Sequence, residues 1–321
     1  MRRTEFNRLN WANLPWLAAV AILWAGCMPA HSVAQQKGQK TFSSPEDAST
    51  ALVTAAQNND EEVLLEILGP NAKRIVSSGD EAEDAQSRAN FVNKYQEMHR
   101  LVKEPDGSTV LYIGAENWPT PIPLLHIGHS WYFDTAAGEK EILYRRIGRN
   151  EISAIRVCME LVAAEKEYSS THHEYAQNIS TDDGQRGGLY WKAAGSEPQS
   201  PIGPLVAAAF TPANAERPDA APAPYRGYHY QILTAQGNNA PGGAKSYIAD
   251  GKMTNGFAFV AYPAEYRSSG VMTFIVDAKG VVYEKDLGKR TGELAKAIKE
   301  YNPVPGWKKA EVPQQETAAK Q

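Results

Sequence analysis

Arg145–Tyr175, RRIGRNEISAIRVCMELVAAEKEYSSTHHEY, is the stretch whose reading settles the fold. Ile147, Ala154, Ile155, Cys158, Leu161, Val162 and Tyr168 recur at helical intervals and make one apolar stripe. Arg149, Glu151, Arg156, Glu160, Lys166 and Glu167 fall largely off it, as a solvated face requires. Asn150 is placed to cap the start, and Glu151 to favour the positive end of the helix. About 24 helical residues at about 1.5 Å each would span roughly 36 Å, the width of a small domain. One dry face and one wet face predict a helix laid on a sheet.

Before this helix, the chain reads as helices followed by strands. Phe42-Ser43-Ser44-Pro45-Glu46-Asp47 is a helix start, with Ser44 as cap, Pro45 in the first helical position and acids in the first turn. A short helix is predicted over Glu61–Leu68, stopped by Gly69-Pro70, and a third over Ala82–Leu101 with Phe91, Tyr95 and Met98 on its buried edge. Thr109–Ile113 is a strand, and Pro121–Ile127 with Ser130–Asp134 a hairpin around Gly128-His129. That order predicts a small α+β domain over 42–143, cone-like as in nuclear transport factor two.

After the helix, residues 178–226 form a variable loop containing Asp182-Asp183-Gly184, Gly187-Gly188 and TPANAERPDAAPAP. Strands follow at Tyr228–Leu233, Phe257–Tyr262, Val271–Val276 and Val281–Lys285, the last two joined by the tight turn Asp277-Ala278-Lys279-Gly280. Thr291 is expected to cap a closing helix, and the tail 308–321 to be polar and frayed. The second domain, 144–307, is thus a long helix packed on an antiparallel meander of about four strands, and the fold class is α+β in two domains.

The 321 residues fit about two domains, and 42% hydrophobic with 22% charged residues leaves room for a sizeable core. A net charge of -4 gives no electrostatic reason to expect nucleic acid or an anionic membrane as partner. Arg2, Arg3 and Arg8 precede the apolar run Leu14–Cys27, and Ser32-Val33-Ala34 offers small residues for cleavage after Ala34. This reads as a secretory signal over 1–34, too short for a comfortable membrane span, followed by a disordered leader at 35–41. Two other readings stay open: a lipoprotein signal acylated at Cys27, and an uncleaved anchor. A mature chain from Gln35 would hold no transmembrane span and one thiol, Cys158, which sits on the apolar stripe as inert filler. It is expected in the periplasm or outside the cell.

Three phrases carry a resemblance: PIPLLHIGHSWYFDTAAGEKEILYRRIGRNEISAIRVC, GYHYQILTAQGNNAPGGAKSYI and SSGVMTFIVDAKGVVYEKDLG. They resemble the bacterial exported family catalogued as domain of unknown function 2950, over 42–307. The resemblance implies export and a two-part architecture, and brings no activity and no site residues. The second half is also similar to the globular head of type IV pilins and pseudopilins, though here the helix is internal and charged on one face. Polymerisation in the pilin manner is therefore not expected.

No catalytic, cofactor-binding or metal residue stands out. His126 and His129 flank a turn and point apart, and no second pair sits at zinc spacing. His172, His173 and Glu174 end the long helix, where cations suit the negative pole. Asp182-Asp183-Gly184 lacks the alternating acids of a calcium loop, and Ser169-Ser170 and Ser268-Ser269 lack a nucleophile elbow. Gly242-Gly243 with Lys245 is no phosphate loop, while Arg145, Arg146 and Arg149 read as a solvated face pairing with Glu139 and Glu141. Trp118, Trp131, Tyr190, Trp191, Tyr225, Tyr228 and Tyr230 flank the loops and would mark a recognition surface if exposed. Two functions follow. One is a non-enzymatic module that binds an envelope protein or polymer through the 178–226 side. The other is an enzyme or small-ligand binder with a pocket in the N-terminal domain, where Asp134, Tyr112 or His126 would converge.

Overall fold

The computed structural model describes residues 35–179, 188–191, 200–210 and 223–311. Two compact units divide between Glu139 and Lys140. In the first, α1 (Pro45–Gln57) and α2 (Glu61–Leu68) lead through one turn of tighter helix into α3 (Lys73–Val76) and α4 (Glu81–Glu97). Each longer helix starts on a side-chain cap. Ser44 Oγ accepts from the Asp47 N–H, Asp60 from Val63, and Asp80 from Ala82 and Glu83. The strands β1 (His99–Lys103), β2 (Thr109–Ile113), β3 (Trp118–Pro119), β4 (Leu124–Ile127) and β5 (Ser130–Phe133) form an antiparallel sheet ordered β1-β2-β4-β5, with β3 on β2. The expected hairpin pairs Leu124 with Phe133 and Ile127 with Ser130. Ala48, Ile67, Leu124 and Phe133 are among the residues that close this unit's core.

The long helix, α5 (Thr135–His172), runs 38 residues and begins well before the predicted cap. Asp134 starts it: its carboxylate accepts the Ala137 N–H at 3.0 Å, and its carbonyl the Gly138 N–H. Asn150 therefore lies inside the helix and caps nothing. Beyond α5, the second unit has α6 (Pro204–Ala208), β6 (Tyr228–Leu233), β7 (Ala235–Gln236), β8 (Lys245–Ser246), β9 (Ile248–Ala249) and β10 (Lys252–Met253). Then come β11 (Ala258–Pro263), β12 (Met272–Asp277), β13 (Val282–Asp286), α7 (Thr291–Lys296), β14 (Glu300–Tyr301) and β15 (Lys308–Lys309). The main sheet is antiparallel in the order β15-β13-β12-β11-β6. Its inner strand β11, between β12 and β6, is buried at every position, as an unbroken apolar run requires.

The predicted stripe packs on this sheet. Ala154, Ile155, Cys158, Leu161, Val162 and Tyr168 share one buried cluster with Tyr228, Phe259, Phe274 and Val276. The chain is thus α+β, with a long helix on an antiparallel sheet. Glu151 is not merely solvated, as the stripe implied: one carboxylate oxygen accepts the backbone N–H groups of Val271 and Met272 at 2.9 and 3.0 Å. Asn150 donates to the Ser269 carbonyl at 2.8 Å. One turn of the helix thereby holds the start of β12. Tyr228 hydroxyl closes the same corner by donating to the Met272 carbonyl, and Gly270 leaves room for that ring, which any Cβ would strike.

Other elements differ from the sequence reading for local reasons. The predicted third helix stops at Glu97 because His99–Lys103 pairs with β2 along five residues. Gln39, read as part of a polar leader, is buried, its amide donating to the Ile67 and Phe133 carbonyls. Thr291 is the first residue of α7 and its hydroxyl donates to Gly288 O, so it is not the cap. Lys308 and Lys309, read as tail, pair with β13.

Replacing Glu151 with Ala should lower unfolding stability by about 1.5–3 kcal/mol, since two N–H donors lose a charged acceptor. Glu151→Gln, which keeps a neutral acceptor, should cost less. Urea melts of the two variants check the order; equal stability of Glu151→Ala and wild type would rule out the clamp.

Candidate functional site

The N-terminal unit contains a cavity of about 870 Å³, within the roughly 300–1,000 Å³ range of small-molecule sites. Helices supply most of its wall: Leu52 and Ala56 from α1, Leu64 and Leu68 from α2, Ile75 and Val76 from α3, and Phe91 from α4. Ile113, Ile122 and Phe133 close it on the sheet side. The capped starts of α1, α2 and α4 fix these side chains in direction, because side chains three and four residues apart share a face. Trp118 is 51% exposed at the rim.

Charged groups lining the cavity come mainly from α4. Lys94 meets Glu116 at 3.0 Å, and Asp84 accepts from Ser77 Oγ and, through both oxygens, from the Ser78 N–H. Those bonds, the Ser78 backbone N–H first, hold the Asp84 carboxyl below its ordinary range. Arg88 donates an Nη–H to the Val76 carbonyl at 3.0 Å, while its Nε is buried without a partner.

The polar groups expected to converge in such a pocket do not line it. Asp134 is spent on capping α5. Tyr112 donates to Glu104 at 3.1 Å beneath the Arg100 guanidinium, and His126 is exposed beside the Trp131 ring, 4.9 Å between centroids. What the sequence did carry, unread, was the α4 stripe Asp84, Arg88, Phe91, Tyr95. Its helical spacing puts a cation on the edge already recognised from Phe91 and Tyr95.

The remaining candidates have structural roles. His172 stacks on Tyr168 at 4.0 Å, its Nδ1 being 3.0 Å from the Tyr168 carbonyl, and Glu174 pairs with Lys252 at 3.4 Å. Arg145 pairs with Glu141 at 2.7 Å. Ser170 donates to Glu167 O, and Ser269 Oγ is bonded within the Glu265 turn. Tyr228 and Tyr230 are buried, whereas Trp131, Tyr190, Trp191 and Tyr225 are half-buried. Asp182-Asp183-Gly184 lies outside the described residues, as do 1–34 with Cys27. Among the described residues no group of three or more His, Cys, Asp or Glu could hold a metal ion, and no helix is long and apolar enough to cross a membrane.

Two of the groups with shifted acidity in the C-terminal unit lie on α5 and face its core. Burial pushes the Cys158 thiol up to about 12, leaving it protonated and inert at neutral pH. Burial likewise pushes Glu165 up to about 8, against the lowering effect of the Ala176 N–H, which it accepts at 2.9 Å; its other oxygen has no partner.

The fold is that of a two-unit α+β protein whose N-terminal unit contains a largely apolar cavity. Residues 39–310 match the family model described as Protein of unknown function (DUF2950), and the chain belongs to that family. No curated protein and no solved structure matches it.

Because the folded state favours protonated Glu165, its contribution to stability should be complete below the ordinary value of 4.5 and lost as pH rises to about 8. One proton limits the slope to about 1.4 kcal/mol per pH unit. Glu165→Gln should flatten that limb in denaturant titrations at a series of pH values; an unchanged slope would contradict the assignment.

Proposed function

We propose that this protein is an exported, non-enzymatic binding protein of the bacterial envelope, and that its N-terminal unit takes up a small apolar molecule. The cavity carries the reading. Its wall is largely hydrocarbon from four helices and a sheet; Lys94, Glu116 and Asp84 have partners of their own, Arg74 and Glu83 are exposed to solvent, and one arginine edge is buried without a partner. Such a site favours binding by burial of apolar surface, about 25 cal/mol per Å² removed from water.

Export is supported by the basic start, the apolar run Leu14–Cys27 and the small residues ending at Ala34. A likeness in architecture between the C-terminal unit and a pilin or pseudopilin head draws support from its long helix on an antiparallel sheet and from the sequence phrases. An aromatic recognition face beside 178–226 has less behind it, because Tyr228 and Tyr230 are core residues.

The neutral fluorescent probe N-phenylnaphthylamine should bind the mature protein saturably with a blue-shifted rise in emission. Leu52→Trp, which fills the cavity from a half-buried position, should weaken that binding by about tenfold or more. Absence of saturable binding to the wild type would overturn the reading. Fractionation of expressing cells, with N-terminal sequencing for Gln35, tests export independently.

A further inference from the structure

The hydrogen-bonding groups around the cavity do not balance. Asp84 has its acceptors filled by Ser77 and Ser78, and Glu116 has Lys94. Arg88 is left with a buried Nε–H that meets no acceptor. A buried donor without an acceptor is a cost that native structures rarely leave standing, and a guanidinium satisfies it best with a planar carboxylate. Just one Arg88 hydrogen bond, to Val76 O, holds the head group in place. Immediately beside it in the wall stand Phe91, on the next turn of α4, and Ile75 and Val76 of α3.

Resting on the cavity reading above, we propose that the ligand is a single-chain carboxylate amphiphile of fatty-acid type. Its ionised head is received by Arg88, and its hydrocarbon lies among Leu52, Leu64, Phe91 and Ile122. The Nε–H edge now faces protein, so binding requires Arg88 to turn that edge toward the cavity. Among the described lining groups the one buried without a partner is a donor, which favours a carboxylate over an amine or a plain hydrocarbon; Arg74 and Glu83, also in the lining, are exposed to solvent. Lys94 pairs with Glu116 and Arg74 is open to water, which leaves Arg88 as the lining cation with a buried N–H unsatisfied.

Displacement of N-phenylnaphthylamine by laurate and by dodecanol, which share a chain and differ in the head, tests this below their aggregation limits. In Arg88→Gln, which keeps an N–H for Val76 but loses the charge, laurate should displace the probe at least about tenfold more weakly, with dodecanol changed by less than about twofold. Arg88→Lys should retain most of the laurate affinity, which separates loss of charge from loss of fold, and thermal melts of both variants confirm folding. If Arg88→Gln weakens both ligands alike, or neither, while the probe still binds, the carboxylate assignment is wrong and the cavity reading survives. If the wild type binds no probe, laurate or dodecanol, both fall together.

Discussion

The dry contact between one face of α5 and the antiparallel sheet is the constraint on which the C-terminal unit depends. Cys158 and Leu161 are fully buried there, in one cluster with Phe259, Val260, Phe274 and Val276 of the strands, which are equally closed off. Neither partner is viable alone: the sheet face is too apolar for water, and the stripe gives the helix its reason to lie down. Cys158 is a free thiol, so packing and hydrogen bonds rather than a crosslink hold this contact. The Glu151 and Asn150 bonds to 269–272 add direction to what burial supplies in magnitude. Hydrophobic contact alone is indifferent to small slides of a helix along a sheet, but two N–H groups converging on one oxygen are not.

Much of this was legible because it is periodic or punctuated. The stripe from Ala154 to Tyr168, the Ser44-Pro45 start, the short helix over 61–68 and the turn at 277–280 each follow from local chemistry. The start of α5 was not, because residues 135–149 hold few apolar side chains in register, and Asp134 reads equally well as a strand end or a cap. The His99–Lys103 strand was hidden for a different reason. Its residues continue a good helical run, and the backbone partners that override it lie across a turn in β2, from Thr109 opposite Lys103 to Ile113 opposite His99. Gln39 illustrates the same limit: a polar residue among polar neighbours becomes core only because two carbonyls, from Ile67 and Phe133, come to meet it.

The cavity belongs to the part that local pattern could not give. Its walls come from four helices and a sheet spread over some eighty residues of sequence, from Leu52 to Phe133, and no short window contains it. Single contributions were visible, as with Phe91 on the inner edge of α4, but a face that is apolar because it packs and one that is apolar because it lines space look alike in sequence. Arg88 lies on that inner edge with a buried donor unsatisfied.

The sealed thiol of Cys158 also makes this protein its own clock. A sulfhydryl that is protonated and out of reach while α5 lies on the sheet becomes reactive only in conformers where the two have parted. The pace at which a thiol reagent consumes it is thus governed by how often that interface opens, so an unreactive side chain becomes a built-in gauge of the helix's residence on its sheet.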